Sequence, residues 1–247
     1  MIVRDIAINI SSNLAGGEDL VFDPASISGL IQWLDADDTD TINESAGDIS
    51  DWFDKSTANN DVAQVTGANQ PTYVTDEIND RNIVRFNGST HYMTGSPFLL
   101  DTGTATIFAV IKAPLQADGV IIHSGNLAGP GTFYQIAAKA SVPSVGIRNF
   151  FRNDASTTLQ NLLGSATLFD DTTRILTFTD SLLIMKTRVD GVDDTSAGYS
   201  RFGVITDNGF TLGAAEAGGI IAHLDGDLCE IIIYDRVLVG SEIDQVE

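Results

Sequence analysis

A single cysteine in 247 residues leaves no disulfide to be formed within the chain. Cys229 sits in LCEIIIY, an apolar strand-like run, and is expected to be a buried small hydrophobe rather than a nucleophile or a metal ligand. Basic residues are scarce as well: 13 Lys and Arg stand against 34 Asp and Glu, a formal net charge of -21. A surface of that sign repels phosphate, which argues against nucleic acid and anionic membranes as partners. No stretch approaches the roughly 18 apolar residues of a membrane span. The opening MIVRDIAINISSN puts Arg4, Asp5 and Asn9 where a signal peptide needs an unbroken apolar core, so folding in a cytoplasm is expected. Also missing are a P-loop, a G-x-G-x-x-G turn, a G-x-S-x-G elbow and any convincing helical stretch of ten residues.

Short apolar runs with strand character are plentiful, bounded by Gly, Asn, Asp and Ser. They include LIQWLDA (30–36), NIVRFNG (82–88), TATIFAVIKA (104–113), GVIIHSG (119–125) and FYQIAAKA (133–140). Further along come SVGIRNFFR (144–152), TRILTFT (173–179), LLIMKTRVDG (182–191), GFTLGAA (209–215) and DLCEIIIYD (227–235). Hydrophobic residues make up 43% of the chain, enough for a sizeable core. Many strands and scarcely any helix predict an antiparallel sandwich or barrel. The Asp-Gly pairs of VDGVDD (189–194) and LDGD (224–227) carry the chemistry of tight hairpin turns.

Two segments stand apart. Residues 1–27 contain Ile6, Ile8 and Ile10 in strict alternation before SSNLAGGED. They read either as an edge strand of the same sheet or as an arm that adds a strand to a partner. At the other end, in VLVGSEIDQVE, Leu238, Ile243 and Val246 are spaced for a helical turn, with Ser241 as expected cap and Asp244 three residues on.

Taken in order, GLIQWLDADDTDTI, ISDWFDKSTANNDVAQ, QPTYV, NIVRFNGSTHYMT and the closing FTLGAA…HLDGDLCEIIIYDRVLVGSEIDQVE resemble laminin G-like domains of the concanavalin A-like lectin/glucanase superfamily. The resemblance covers residues 28–247. It implies an all-β, two-sheet antiparallel jelly-roll sandwich with a short C-terminal helix, preceded by an extended N-terminal arm. In that fold Trp33 and Trp52 are expected to fill the core, and Glu230 and Arg236 to pair at the ends of the last strand.

The final EIDQVE is similar to the acidic triplet with which glycosidases of the same superfold cut β-glucans. There the carboxylates alternate on a strand and share one cleft, about 5 Å apart in retaining enzymes. Here the triplet follows a helix start, where Glu242 and Asp244 diverge by roughly 200°. A catalytic role for Glu242, Asp244 and Glu247 is therefore not expected, and the protein is read as a non-enzyme. His91, His123 and His223 lie far apart in sequence without metal-site spacing. DADDTD (35–40) offers alternating oxygens, but a loop whose Asp side chains bind their own backbone explains it better. Calcium is the one cofactor the sequence leaves open.

Domains of this kind are common in bacteriophage structural proteins. The resemblance thus implies a virion protein on a capsid or tail fibre, assembled in the host cytoplasm and displayed on the particle surface. The arm of Ile6, Ile8 and Ile10 would attach it to other virion proteins or to its own copies, as in a homotrimer. The alternative is an adhesin that binds a cell-surface glycan, with or without calcium.

Overall fold

The computed structural model describes residues 22–98, 103–114, 118–125, 133–141, 144–152, 158–164, 170–198, 209–216 and 219–247. The arm residues Ile6, Ile8 and Ile10 lie outside them. Nearly all regular structure is strand. The order opens with β1 (Leu30–Asp35), β2 (Ile42–Ser45), β3 (Asp48–Trp52), β4 (Val62–Ala63), β5 (Thr72–Ile78), β6 (Arg81–Asn87) and β7 (Met93–Gly95). It continues with β8 (Ala105–Lys112), β9 (Asp118–Gly125), β10 (Phe133–Ser141), β11 (Ser144–Arg152), β12 (Thr158–Leu163) and β13 (Arg174–Asp180). The last group is β14 (Ile184–Val189), β15 (Val192–Gly198), β16 (Phe210–Leu212), β17 (Ala215–Glu216), β18 (Ile220–Ile221), β19 (Asp225–Tyr234) and a helix, α1 (Gly240–Val246).

Strand pairing builds two antiparallel layers. In the back layer β19 pairs with β8 on one side, and on the other with β6 along its first half and β1 along its second. β5 extends this layer beyond β6, and β13, β14 and β15 extend it beyond β8. The front layer runs β2, β3, β4, β7, β16, β9, β10, β11, β12. A small ladder, β17 with β18, stands separately. The jelly-roll sandwich expected from the sequence is what forms.

Side-chain alternation explains the core. Leu34, Trp52, Phe86, Ile107, Phe151, Phe178, Phe210, Ile231 and Ile233 point between the layers and form the main cluster. Each large side chain taken out of water there contributes roughly 1.5–3 kcal/mol. β8 and β19 show unbroken burial instead of alternation, because their outer faces are covered too. Trp33, Phe108, Val110, Cys229, Ile232 and Tyr234 pack outward against Ile27, Leu238, Ile243 and Val246, beneath α1 and the segment before β1. Pro24 is buried in that segment, and Tyr234 Oη donates to its carbonyl at 3.0 Å. Residues 22–27, counted with the arm in the sequence, thus dock on the sandwich. Cys229 is buried, and desolvation pushes its thiol up to about 12, which leaves it unreactive.

Turn chemistry followed the sequence at one Asp-Gly pair and not at the other. Asp190 and Gly191, at φ 49° and 77°, make the two-residue turn between β14 and β15. Asp225-Gly226 instead begins β19, with Gly226 paired to Phe86. A Cβ at Gly226 would lie 2.8 Å from Ala113 Cβ and 2.9 Å from the Lys112 carbonyl, so this glycine serves close strand approach.

Candidate functional site

A concavity of about 410 Å³ opens at one end of the back layer, lined by Glu77, Arg85, Lys112, Pro114, Asp171, Asp225 and Asp227, with Phe86 and Gly226 at its floor. Register creates its central row. Asp227 on β19 stands opposite Arg85 of β6 on one side and Lys112 of β8 on the other. Arg85 Nε and Nη2 donate to the two Asp227 oxygens at 2.7 and 2.9 Å, and Nη2 also donates to Glu77 Oε1 at 2.9 Å. This bidentate grip pushes the guanidinium further above its ordinary value and fixes it in place. Two local distortions bring the other walls in. The β5–β6 pairing shifts register between Val74 and Ile78, with Asp76, Asn79 and Asp80 at positive φ, and this carries Glu77 to the rim. Asp171, at φ 65°, donates its backbone N–H to the Ala113 carbonyl at 3.0 Å, which seats its turn against the end of β8.

The basic residues of this acid-rich chain are mostly claimed. Lys55 pairs with Asp35 and Asp38, Arg81 with Asp37, Arg174 with Asp170 and Asp190, and Lys186 with Asp193. Arg188 pairs with Glu247, and Arg236 with Glu242. Among the described residues no ion pair holds Lys112. The site thus offers the Lys112 ammonium and the Asp171 carboxylate together on the β8 side of a rigid Arg85–Asp227 pair, with Pro114 as apolar wall. That set can both donate to and accept from neutral polar groups.

A row of polar side chains, buried at its centre, lies on the side of the front layer that faces away from the main core. Pairing aligns Asp51, Ala63, Thr94, Thr211, His123, Gln135, Phe150 and Asn161 in one row across it. His123 at its centre is fully buried. Burial, assisted by the charge of Arg152, pushes its imidazole down to about 4 from 6.5. The folded protein therefore binds fewer protons here than the unfolded chain between those two values, and stability falls as pH drops through that window. The expected contribution is about 3 kcal/mol lost by pH 4, because one unit corresponds to about 1.4 kcal/mol. Urea midpoints measured at pH 7 and pH 4.5 check it: His123→Gln should show a smaller decline than the wild type, and equal declines would refute the assignment.

The residues singled out by sequence fall mostly into structural roles. Glu242 accepts from both Arg236 nitrogens, at 2.7 and 2.8 Å, and from the Val239 N–H at 2.9 Å. These bonds hold its carboxyl down at about 2. Glu247 is buried against Thr177 Oγ1 at 2.6 Å and Arg188 at 2.9 Å, and Asp244 is exposed. The three acidic side chains anchor α1 on the back layer and converge on no cleft. The expected Ser241 cap is corrected: α1 starts at Gly240, Val239 occupies the cap position, and Glu242 closes back on it. In DADDTD, Asp35 and Asp38 hold Lys55, Asp37 holds Arg81 and the Asn82 N–H, and Asp38 accepts from the Asp40 N–H. No group of three or more His, Cys, Asp or Glu suited to a metal ion occurs among the described residues. Trp52 fills the main core. Trp33 fills the outer one, with Nε1 donating to Glu230 at 2.8 Å and Lys55 4.1 Å over its ring. His91 and His223, distant in sequence, meet through a 3.2 Å contact from His223 Nδ1 to the His91 carbonyl. The packing of the β6–β7 and β18–β19 connections against each other brings them together, and sequence spacing could not show it.

No family model matches the chain, and no curated protein matches it in sequence. Solved structures do match in fold. The binding domain of Paraclostridial Mosquitocidal Protein 1 superposes with a TM-score of 0.62 at 15% identity, over 88% of this chain and 51% of that one. The botulinum neurotoxin serotype D ligand binding domain, solved in complex with N-acetylneuraminic acid, gives 0.61 at 16% identity, over 90% and 52%. A Trypanosoma rangeli sialidase gives 0.63 at 15% identity, over 99% of this chain and 36% of that one. The chain therefore spans about half the length of the toxin domains and about a third of the sialidase. At such identities the likeness establishes a shared β-sandwich fold.

Proposed function

We propose that this protein is a non-catalytic carbohydrate-binding module whose sugar site is the pocket of Arg85, Lys112, Asp171 and Asp227. The observation that carries the reading is the uncommitted Lys112 ammonium facing an acid-lined concavity of about 410 Å³, within the size range of small-ligand sites. A sugar presents neighbouring hydroxyls that both donate and accept. Lys112 supplies the donor, Asp171 the acceptor, and the Arg85–Asp227 pair a fixed polar edge, while Pro114 meets the apolar C–H face. That Glu77 and Asp227 both grip the same guanidinium supports a binding rather than a catalytic role for them. The fold neighbours add support: one is a ligand binding domain solved with a sialic acid, another a sialidase.

A glycan array probed with the full chain tests the proposal. Saturable binding to a defined set of glycans is expected, reduced roughly tenfold or more in Lys112→Ala and Asp171→Ala, since each removes a hydrogen bond to a buried polar ligand. Both substitutions are at the surface and should leave the melting temperature within a few degrees of wild type. An array with no saturable signal, or variants that bind as well as wild type, would remove the pocket from the account. Display on a virus particle is a separate expectation; nothing in the fold neighbours favours it, and the binding reading does not depend on it.

A further inference from the structure

For Arg148 on β11, as for Lys112, no ion pair exists among the described residues. It lies on the outer face of the front layer, between Ala137 of β10 and Leu163 of β12, far from the Lys112 pocket on the back layer. Its guanidinium is held in two ways. Nε donates to Asn161 Oδ1 at 2.9 Å, and the planar group lies 4.0 Å from the centroid of the Phe150 ring, itself 7% exposed. Both contacts leave the forked Nη1–Nη2 end unused. Desolvation destabilises the charge, and Asp118 compensates only through space. A guanidinium so fixed has already lost its rotamer freedom, and a planar two-oxygen acceptor fits its fork. In a chain of net charge -21, acids able to satisfy it are abundant, yet none of the described ones does. Leu163, more than a third exposed, forms an apolar shelf beside it.

We propose that Arg148 is the recognition group of a second binding site, specific for the carboxylate of an acidic sugar. The carboxylate is argued from Arg148 itself; that a sugar carries it rests on the carbohydrate-binding reading above.

The test uses the full chain labelled with ¹⁵N, following the arginine Nε–H resonances. The Arg148 signal is identified as the one missing from Arg148→Lys. Sodium glucuronate and N-acetylneuraminic acid are titrated in, with glucose and sodium chloride as controls. At least one acidic sugar should move the Arg148 resonance saturably, while glucose and chloride leave it in place. Arg148→Lys, which keeps the charge and loses the fork, should bind that sugar about tenfold more weakly by calorimetry. Lys112→Ala should retain the Arg148 response. A resonance that no acidic sugar moves, or that chloride moves equally, overturns the proposal. So does loss of the response in Lys112→Ala, which would assign the acidic sugar to the back-layer pocket. A glycan array with no ligand lost in Lys112→Ala and Asp171→Ala, with the Arg148 response intact, would instead sink only the pocket reading.

Discussion

Gly213→Ala is expected to destabilise the protein by about 4 kcal/mol or more, through overpacking added to backbone strain. Gly213 follows β16 with φ 79°, a conformation that costs any other residue energy. A Cβ there would meet Phe86 Cε1 at 2.2 Å and Cδ1 at 2.3 Å. Phe86 cannot yield, since it is 1% exposed in the centre of the main core. The backbone is no freer: Gly213 N–H donates to the Ile121 carbonyl at 3.0 Å, and its own carbonyl accepts from Leu224 at 2.8 Å. For a chain of this size the loss corresponds to a melting temperature lower by roughly 10 °C. Thermal unfolding followed by circular dichroism checks it. A variant that melts within two or three degrees of wild type would mean that the ring and the β16–β17 connection move apart easily, against the packing described.

The second large effect is expected at Asp54, in the segment FDKSTANND. β1 is paired with β19 along one edge, and residues 53–61 close the other edge with side chains instead of a strand. Asp54 is the hub. Its Oδ1 accepts from the Trp33 and Ser56 N–H groups, both at 2.8 Å, and its Oδ2 from Ser56 Oγ at 2.6 Å and the Asn60 N–H at 2.8 Å. Asn60 Nδ2 then reaches the Ile31 carbonyl at 2.7 Å, and Gln32 Nε2 the Asn60 carbonyl at 2.6 Å. Asp54→Ala strands several buried donors at once, each bond to a charged acceptor being worth about 1.5–3 kcal/mol, without full additivity. The expected loss is about 3–4 kcal/mol in denaturant unfolding, with Asp54→Asn losing less. Exposure of the β1 edge should also raise aggregation. Asp54→Ala with an unchanged urea midpoint would show that this loop is dispensable to the edge.

Much of the architecture was legible because strands with one or two buried faces write themselves into composition. TATIFAVIKA and DLCEIIIYD announced β8 and β19, and SVGIRNFFR gave β11 at both ends. β15, VDDTSAG, has no apolar alternation and depends on the Asp190–Gly191 turn and its pairing with β14, so composition concealed it. The order of motifs pointed to the sandwich, and the polar DKSTANND segment within them closes the free edge of β1. That the acidic triplet lies on a helix was readable from the spacing of Leu238, Ile243 and Val246. Its partners Arg236, Arg188 and Thr177 required the fold.

The pocket itself was not legible. Lys112, Arg85 and Asp227 come from three strands and meet only through register across β19. Glu77 and Asp171 arrive through a register shift and a left-handed turn. The one available signal was arithmetic: with so few cations among so many acids, the unclaimed ones are informative, but which are unclaimed is a property of the fold.

The central claim, that the back-layer pocket holds a sugar, is tested most directly by backbone ¹H–¹⁵N spectra recorded while the strongest glycan from the array is titrated in. The account predicts saturable shifts confined to residues around Glu77, Arg85, Lys112 to Pro114, Asp171 and Asp225 to Asp227. Shifts centred on α1 and the β13–β14 face, with the pocket residues silent, would contradict it.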